Sequence, residues 1–245
     1  MTLTRLFSKK VLSLLICAAT VFTSPSLFAS ADGSAIVSKN TSAPHYVALT
    51  FDDGPHATYT DKVLSILEKY GIKATFFMVG SNAEAMPETV KKVYDAGHEI
   101  GNHTYDHIYV TKHPRSYTKD QIEKTSGVIS RITGERPKLF RPPGGICDKS
   151  AAEFIRSLGY ECVLWSVDTR DWALPGVEKV VRTVVRETSG GDIILFHDFN
   201  RKGSPTPEAL ERIIPMLIEK GYSFVTVSEL IAISEDKADP VGPEE

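Results

Sequence analysis

Short apolar runs alternating with helix-spaced apolar residues constrain this chain more than any other feature. Runs at 46–51, 74–79, 98–102, 138–141, 161–167, 192–197 and 223–227 are short and rich in Val, Ile, Leu, Phe or Tyr, which is the signature of buried strands. Between the first two, Val63, Leu64, Leu67 and Tyr70 recur at helical spacing, and Gly71 supplies a stop. Thr118 with Gln121 reads as a capping box ahead of Ile122, Val128 and Ile129. Thr206-Pro207-Glu208 reads as N-cap, first and second positions of a helix running through Glu219. Strand and helix thus alternate about seven times, which predicts an α/β fold on a parallel sheet, open or closed, with both faces covered.

The polar residues fall at one place in this pattern. Asp52 and Asp53 follow the first strand, and His103 and His107 the third. Arg141 ends the fourth, Asp168 and Asp171 follow the fifth, and His197 and Asp198 end the sixth. In parallel α/β folds the C-terminal strand ends converge on one site. Packing alone gives no reason for ionisable residues at that edge in nearly every unit.

Each cluster has its own chemistry and, taken alone, an ordinary structural reading. Asp52-Asp53-Gly54-Pro55 ends an apolar strand with two carboxylates; strand alternation points neighbours to opposite sides, so the two can take different tasks. The plain alternative is a turn in which Asp caps the next helix. His103 and His107, four apart, share one side of a helical turn or converge from a tight loop, and either arrangement suits a metal. Two His and one carboxylate make up a common hydrolytic Zn²⁺ set that leaves a position open for water. His45, His56, His98 and His113 have no such setting and read as ordinary. Arg141-Pro142-Pro143-Gly144-Gly145 puts a permanent cation before a glycine pair whose main-chain N–H groups can approach an oxyanion. The alternative is a surface Arg beside a Pro-Gly turn. Asp168-Thr169-Arg170-Asp171-Trp172 sets acids and an indole after a strand, readable also as a cap and a core Trp. His197 ends Leu195-Phe196-His197 and suits acid work near neutral pH, or is a satisfied core histidine.

The chain ends bear on location. Arg5, Lys9 and Lys10, the apolar stretch Val11 to Phe22, and Ala29-Ser30-Ala31 form a signal-peptide pattern over residues 1–31. An uncleaved membrane anchor is the alternative and the only membrane tie expected. Ile16 before Cys17 excludes a lipobox. Residues 32–44 read as a flexible lead-in, 45–234 as one catalytic domain and 235–245 as a disordered acidic tail. Without residues 1–31 the chain holds 25 Lys and Arg against 31 Asp and Glu, a formal charge of −6. That balance excludes a basic nucleic-acid surface. Nothing in the sequence indicates an assembly, and a monomer is assumed. Cys147 and Cys162 remain, and an exported chain permits a disulfide between them; two separate buried thiols are the other possibility.

Taken in order, the motifs Thr50–Pro55, His103–His107, Arg141–Gly145, Asp168–Trp172 and Leu195–His197 resemble those of the NodB-type polysaccharide deacetylases, the fourth carbohydrate esterase family. The resemblance runs from Tyr46 to Ser228. It implies a distorted (β/α)7 barrel with its active site at the C-terminal strand ends. It also implies one divalent metal, Zn²⁺ first and Co²⁺ or a similar ion next, on Asp53, His103 and His107. Asp52 is implied as base and His197 as acid, with Arg141 and Asp171 orienting them. Gly144 would supply an oxyanion N–H, and Trp172 with Leu195 a pocket for the acetyl methyl. The implied reaction removes N-acetyl groups from GlcNAc residues of a cell-wall polysaccharide, peptidoglycan first, outside the cytoplasm. Chitooligosaccharide N-deacetylation, acetylxylan O-deacetylation, a non-catalytic wall-binding protein and a closed structural metal site stand as alternatives. Many members carry Tyr where this chain has Gly144, so a side chain near the sugar is missing.

Overall fold

The computed structural model describes residues 36–200 and 202–234. The export signal over 1–31 and the acidic tail over 235–245 lie outside them. The strands are β1 (Ile36–Val37), β2 (Tyr46–Asp52), β3 (Thr75–Met78), β4 (Glu99–Asn102), β5 (Leu139–Phe140), β6 (Glu161–Val163), β7 (Val167–Asp168), β8 (Ile193–His197) and β9 (Ser223–Phe224). The helices are α1 (Tyr59–Lys69), α2 (Gly80–Ala85), α3 (Pro87–Asp95), α4 (Arg115–Thr133), α5 (Lys149–Ser157), α6 (Val177–Glu187), α7 (Thr206–Glu219) and α8 (Val227–Ala232). The strands pair in parallel in the order β1-β6-β5-β4-β3-β2-β8-β7, with β9 against the start of β2. Seven of them, β2 to β8, form the wall of a distorted (β/α)7 barrel.

Strand alternation sorts the core. Along β2, Val47, Leu49 and Phe51 face outward into a cluster with Val63 and Leu67 of α1 and Leu210 and Ile214 of α7. Ala48 faces inward with Phe77, Leu139, Val163 and Ile193. Thr50 and Asp52, in phase with Ala48, continue that inner face toward the C-terminal edge. Both strand faces are covered, which explains the near-continuous apolar runs.

The structure corrects the sequence reading at several elements. The run 161–167 is two strands: β6 pairs with β5 and β1, whereas β7 pairs with β8. Trp165 and its neighbours turn the chain between them, and among the described residues no strand pairing joins β6 to β7. Residues 36–44 are not a flexible lead-in. β1 extends β6, the Lys39 ammonium meets Asp192 at 2.7 Å, and Ala43 is buried. Asn40 Nδ2 donates to the carbonyls of Leu230 and Ile233 at 2.7 and 2.9 Å, closing the end of α8. Thr118 and Gln121 form no capping box, because α4 begins earlier, after Pro114, and both residues lie buried within it. Thr206 is the first residue of α7 rather than its cap; Pro205 stands at the cap, and the Thr206 hydroxyl is used elsewhere. His98, by contrast, has the ordinary role expected of it: it is a core histidine whose Nδ1 accepts from the Ala74 N–H at 3.2 Å. Burial, with Lys73 adding, brings its pKa down to about 4.

Candidate active site

The Asp-Asp pair does not behave as neighbours on a strand. β2 ends at Asp52, and Asp53 takes a left-handed backbone with φ 74°. That twist breaks the alternation and brings both carboxylates to the same imidazole. His103 Nε2 lies 3.8 Å from Asp52 Oδ2 and 3.5 Å from Asp53 Oδ1. His107 Nε2 is 3.1 Å from the same Asp53 oxygen, and the two imidazole centroids are 5.0 Å apart.

The histidines converge from a loop, not a helical turn. Thr104 and His107 have φ of 61° and 54°, left-handed values that non-glycine residues rarely adopt and that concentrate at functional sites. Neighbouring elements hold that loop in place. Gly80 and Ser81 of α2 donate to the carbonyls of Thr104 and Tyr105. Asn102 Oδ1 accepts from the Thr104 N–H. Gln121 of α4 both accepts from the Asp106 N–H and donates to its carboxylate, each at 2.8 Å. His103 Nδ1 is 2.7 Å from the Arg141 carbonyl. A carbonyl only accepts, so Nδ1 carries the hydrogen and Nε2 presents its lone pair to the Asp53 side.

Arg141 is buried, and each nitrogen of its head donates a hydrogen bond. Nη1 donates to Asp52 Oδ1 at 2.7 Å and to Thr50 Oγ1 at 2.8 Å. Nη2 donates to the Leu164 carbonyl at 3.0 Å, and the guanidinium lies 4.0 Å from the Phe77 ring centroid. Thr50, unmarked within its apolar run, completes this seat. Asp52 is thereby paired through Oδ1, while Oδ2 faces His103.

Asp52 and His197 are register partners on adjacent strands. His197 Nδ1 is 2.7 Å from Asp171 Oδ1, and its backbone N–H donates to Asp171 Oδ2 at 2.8 Å. Asp171 also accepts from the Thr206 hydroxyl and the Trp172 N–H, so it is saturated and rigid. Burial acts to lower the His197 pKa. The hydrogen bond and charge of Asp171 outweigh it, with Asp52 and Asp53 adding, and the value rises to about 9.

The remaining residues take varied positions. Gly144 sits in a tight turn with φ 67°, and a Cβ there would lie 2.9 Å from the Tyr109 ring, which places the turn against the His107 loop. Leu195 is buried on β8, on the same strand face as His197. Trp172 is 56% exposed, so it is not a core residue. Asp168 Oδ1 accepts from the Arg170 N–H and shapes a local turn. The Cys147 and Cys162 sulfurs stand 3.8 Å apart and are not bonded. Asp198, given no separate role above, is entirely buried behind the Asp52–Gly54 turn, and burial pushes its carboxyl up to about 7 against the Thr60 hydrogen bond.

The donor set fits a divalent cation. One ligand atom from each of Asp53, His103 and His107 lies within 4.8 Å of the others. Asp53 Oδ1 is buried without a hydrogen-bond partner, although two imidazole nitrogens face it. Burial would raise the Asp53 pKa, yet the two imidazoles hold it well below the usual carboxylate range. A carboxylate oxygen without a hydrogen-bond partner and two imidazole nitrogens gathered around it form a set that a cation completes.

A family model described as "Polysaccharide deacetylase" matches residues 39–163. A Bacillus cereus peptidoglycan-N-acetylglucosamine deacetylase is 45% identical over 187 residues, covering 76% of this chain and 87% of the relative. A Bacillus subtilis peptidoglycan-N-acetylmuramic acid deacetylase, PdaC, is 37% identical over 192 residues, covering 78% of this chain and 40% of that longer protein. The crystal structure of the Bc1960 peptidoglycan N-acetylglucosamine deacetylase, with a bound N-hydroxybenzamide, superposes with a TM-score of 0.79 at 35% identity, covering 85% of this chain and 98% of that one.

Proposed function

Because the chain belongs to the polysaccharide deacetylase family, we propose that it hydrolyses the N-acetyl groups of GlcNAc residues in peptidoglycan, outside the cytoplasm, with a divalent metal, Zn²⁺ first, held by Asp53, His103 and His107. The observation that carries this reading is the meeting of those three ligand atoms within 4.8 Å, beside a separate carboxylate, Asp52, that is free to act as a base. When bound, the cation supplies Lewis acidity toward the amide carbonyl and the attacking water.

The chain's own residues supply the rest. Asp52 accepts a proton from the attacking water through Oδ2, while Arg141 fixes Oδ1. The Gly144 N–H donates to the oxyanion as the carbonyl carbon becomes tetrahedral. His197 gives its Nε2 proton to the amide nitrogen, which leaves as an amine; Asp171 holds the imidazole by Nδ1 and keeps it charged for that step. Leu195 and Trp172 flank the acetyl methyl. The signal pattern over residues 1–31 and the relatives' cell-wall substrates support export. The intact base, acid and ligand set argues against a non-catalytic wall-binding role, and three ligands beside a base argue against a closed structural metal site.

Mass spectrometry of defined muropeptides and chitooligosaccharides after incubation tests the substrate. Loss of an acetyl group from the GlcNAc of muropeptides supports the proposal. Loss only from MurNAc, or acetate release only from acetylated xylan, overturns the substrate assignment.

A further inference from the structure

Asp198 is a carboxylate at zero exposure, one residue beyond His197 at the end of β8. Burying such a group is costly unless its bonds do something specific. Among the described residues, its side chain bonds only to Thr60, and Oδ1 has no hydrogen-bond partner. Its contacts all fall on one short segment. The Asp198 N–H points to the Asp52 carbonyl at 3.3 Å. The carboxylate lies flat over Gly54, where a Cβ would stand 2.3 Å from Oδ1 and 2.4 Å from Oδ2. Asp198 Oδ2 accepts the only proton of the Thr60 hydroxyl, so the Thr60 oxygen is left to accept from the His56 N–H, as it does at 2.8 Å. The chain is therefore gripped at residues 52, 54 and 56, on both sides of the left-handed Asp53.

We propose that Asp198 is a positioning residue: with Thr60 it clamps the Asp52–His56 turn from behind and so holds Asp53 toward His103 and His107 and Asp52 beside them. A carboxylate suits this place better than an apolar side chain of equal size. It fills the space over a residue that must be glycine, and its acceptor orients the Thr60 hydroxyl so that the turn's own N–H is satisfied. The inference rests on reading Asp53 as a metal ligand and Asp52 as the base.

The test uses the full chain with Zn²⁺ and a GlcNAc-containing muropeptide. Asp198→Ala should weaken Zn²⁺ binding and lower kcat by about 10–100-fold each, the range for residues that orient metal ligands, with KM little changed. Asp198→Asn keeps the shape and an acceptor for Thr60, and should recover most of both. Thr60→Val should move both in the same direction as Asp198→Ala, and it serves in place of that variant if the alanine form does not fold. A lowered Tm with Zn²⁺ affinity and kcat unchanged would make Asp198 merely structural and overturn the proposal. If Asp53→Asn also leaves Zn²⁺ affinity unchanged, it is the metal assignment that fails, separately from Asp198.

Discussion

At the scale of single residues, neighbouring side chains are set to different tasks by their bonds. Asp52 and Asp53 are adjacent in sequence, yet one is paired with a buried arginine and the other faces two imidazoles. Asp52→Asn should therefore lower kcat by about 10²–10⁴-fold, the usual contribution of a general base, while Zn²⁺ content stays near one per chain; elemental analysis beside turnover checks both. Full activity in that variant would remove Asp52 as base. His103→Ala should lose metal and activity together. His197 has a pKa raised to about 9, against an ordinary value of about 6.5. Its imidazolium contribution to stability is complete below about 6.5 and is lost as pH rises through about 9. In the proposed reaction the same proton goes to the leaving amine, so kcat should fall on the alkaline side. Asp171→Asn removes the support while burial remains, and should shift that limb to lower pH. A limb that does not move in the kcat–pH profile would separate Asp171 from the acid's function.

At the scale of elements, the motifs were legible because parallel strands bring their C-terminal ends together, so a motif's position in the repeat nearly determines its place in space. What was not legible depended on partners distant in sequence. Apart from Glu161 and Ser166 the 161–167 run is apolar, and the change of neighbours from β5 to β8 is what divides it. The Thr118 and Gln121 pattern has the letters of a cap, but Pro114 starts the helix earlier, and Gln121 instead pins the loop that carries His107. Alternation on β2 predicts that Asp52 and Asp53 point to opposite sides, and it fails because no spacing rule anticipates a left-handed residue at a strand end. The polar composition of residues 32–44 concealed a strand of two residues and an asparagine that closes α8. Asn40→Ala removes two hydrogen bonds to carbonyls at the end of α8, one of which, that of Leu230, also accepts from the Ile233 N–H. It should cost about 1 kcal/mol in denaturant unfolding without changing kcat; no change in the unfolding midpoint would return this segment to a passive lead-in.

At the scale of the whole molecule, the core and the site are separable. The apolar clusters between the sheet and its helices do not include the three proposed metal ligands. Chelation should thus abolish turnover but leave a cooperatively folding protein with native far-UV circular dichroism. Adding Zn²⁺ should raise Tm with concentration, by an amount corresponding to about 2.7 kcal/mol at a hundredfold excess over Kd. Loss of the fold on chelation would make the metal structural. The sheet edge, the left-handed turns and the donors around them serve one arrangement, in which three proposed ligand atoms lie within 4.8 Å of one another with the proposed base alongside. Anomalous scattering at the zinc absorption edge, from crystals grown with Zn²⁺, tests that arrangement most directly. One peak in coordination contact with the Asp53 carboxylate, His103 Nε2 and His107 Nε2 is the expected result. A zinc ion bound elsewhere, or one that leaves any of the three uncoordinated, would contradict the account.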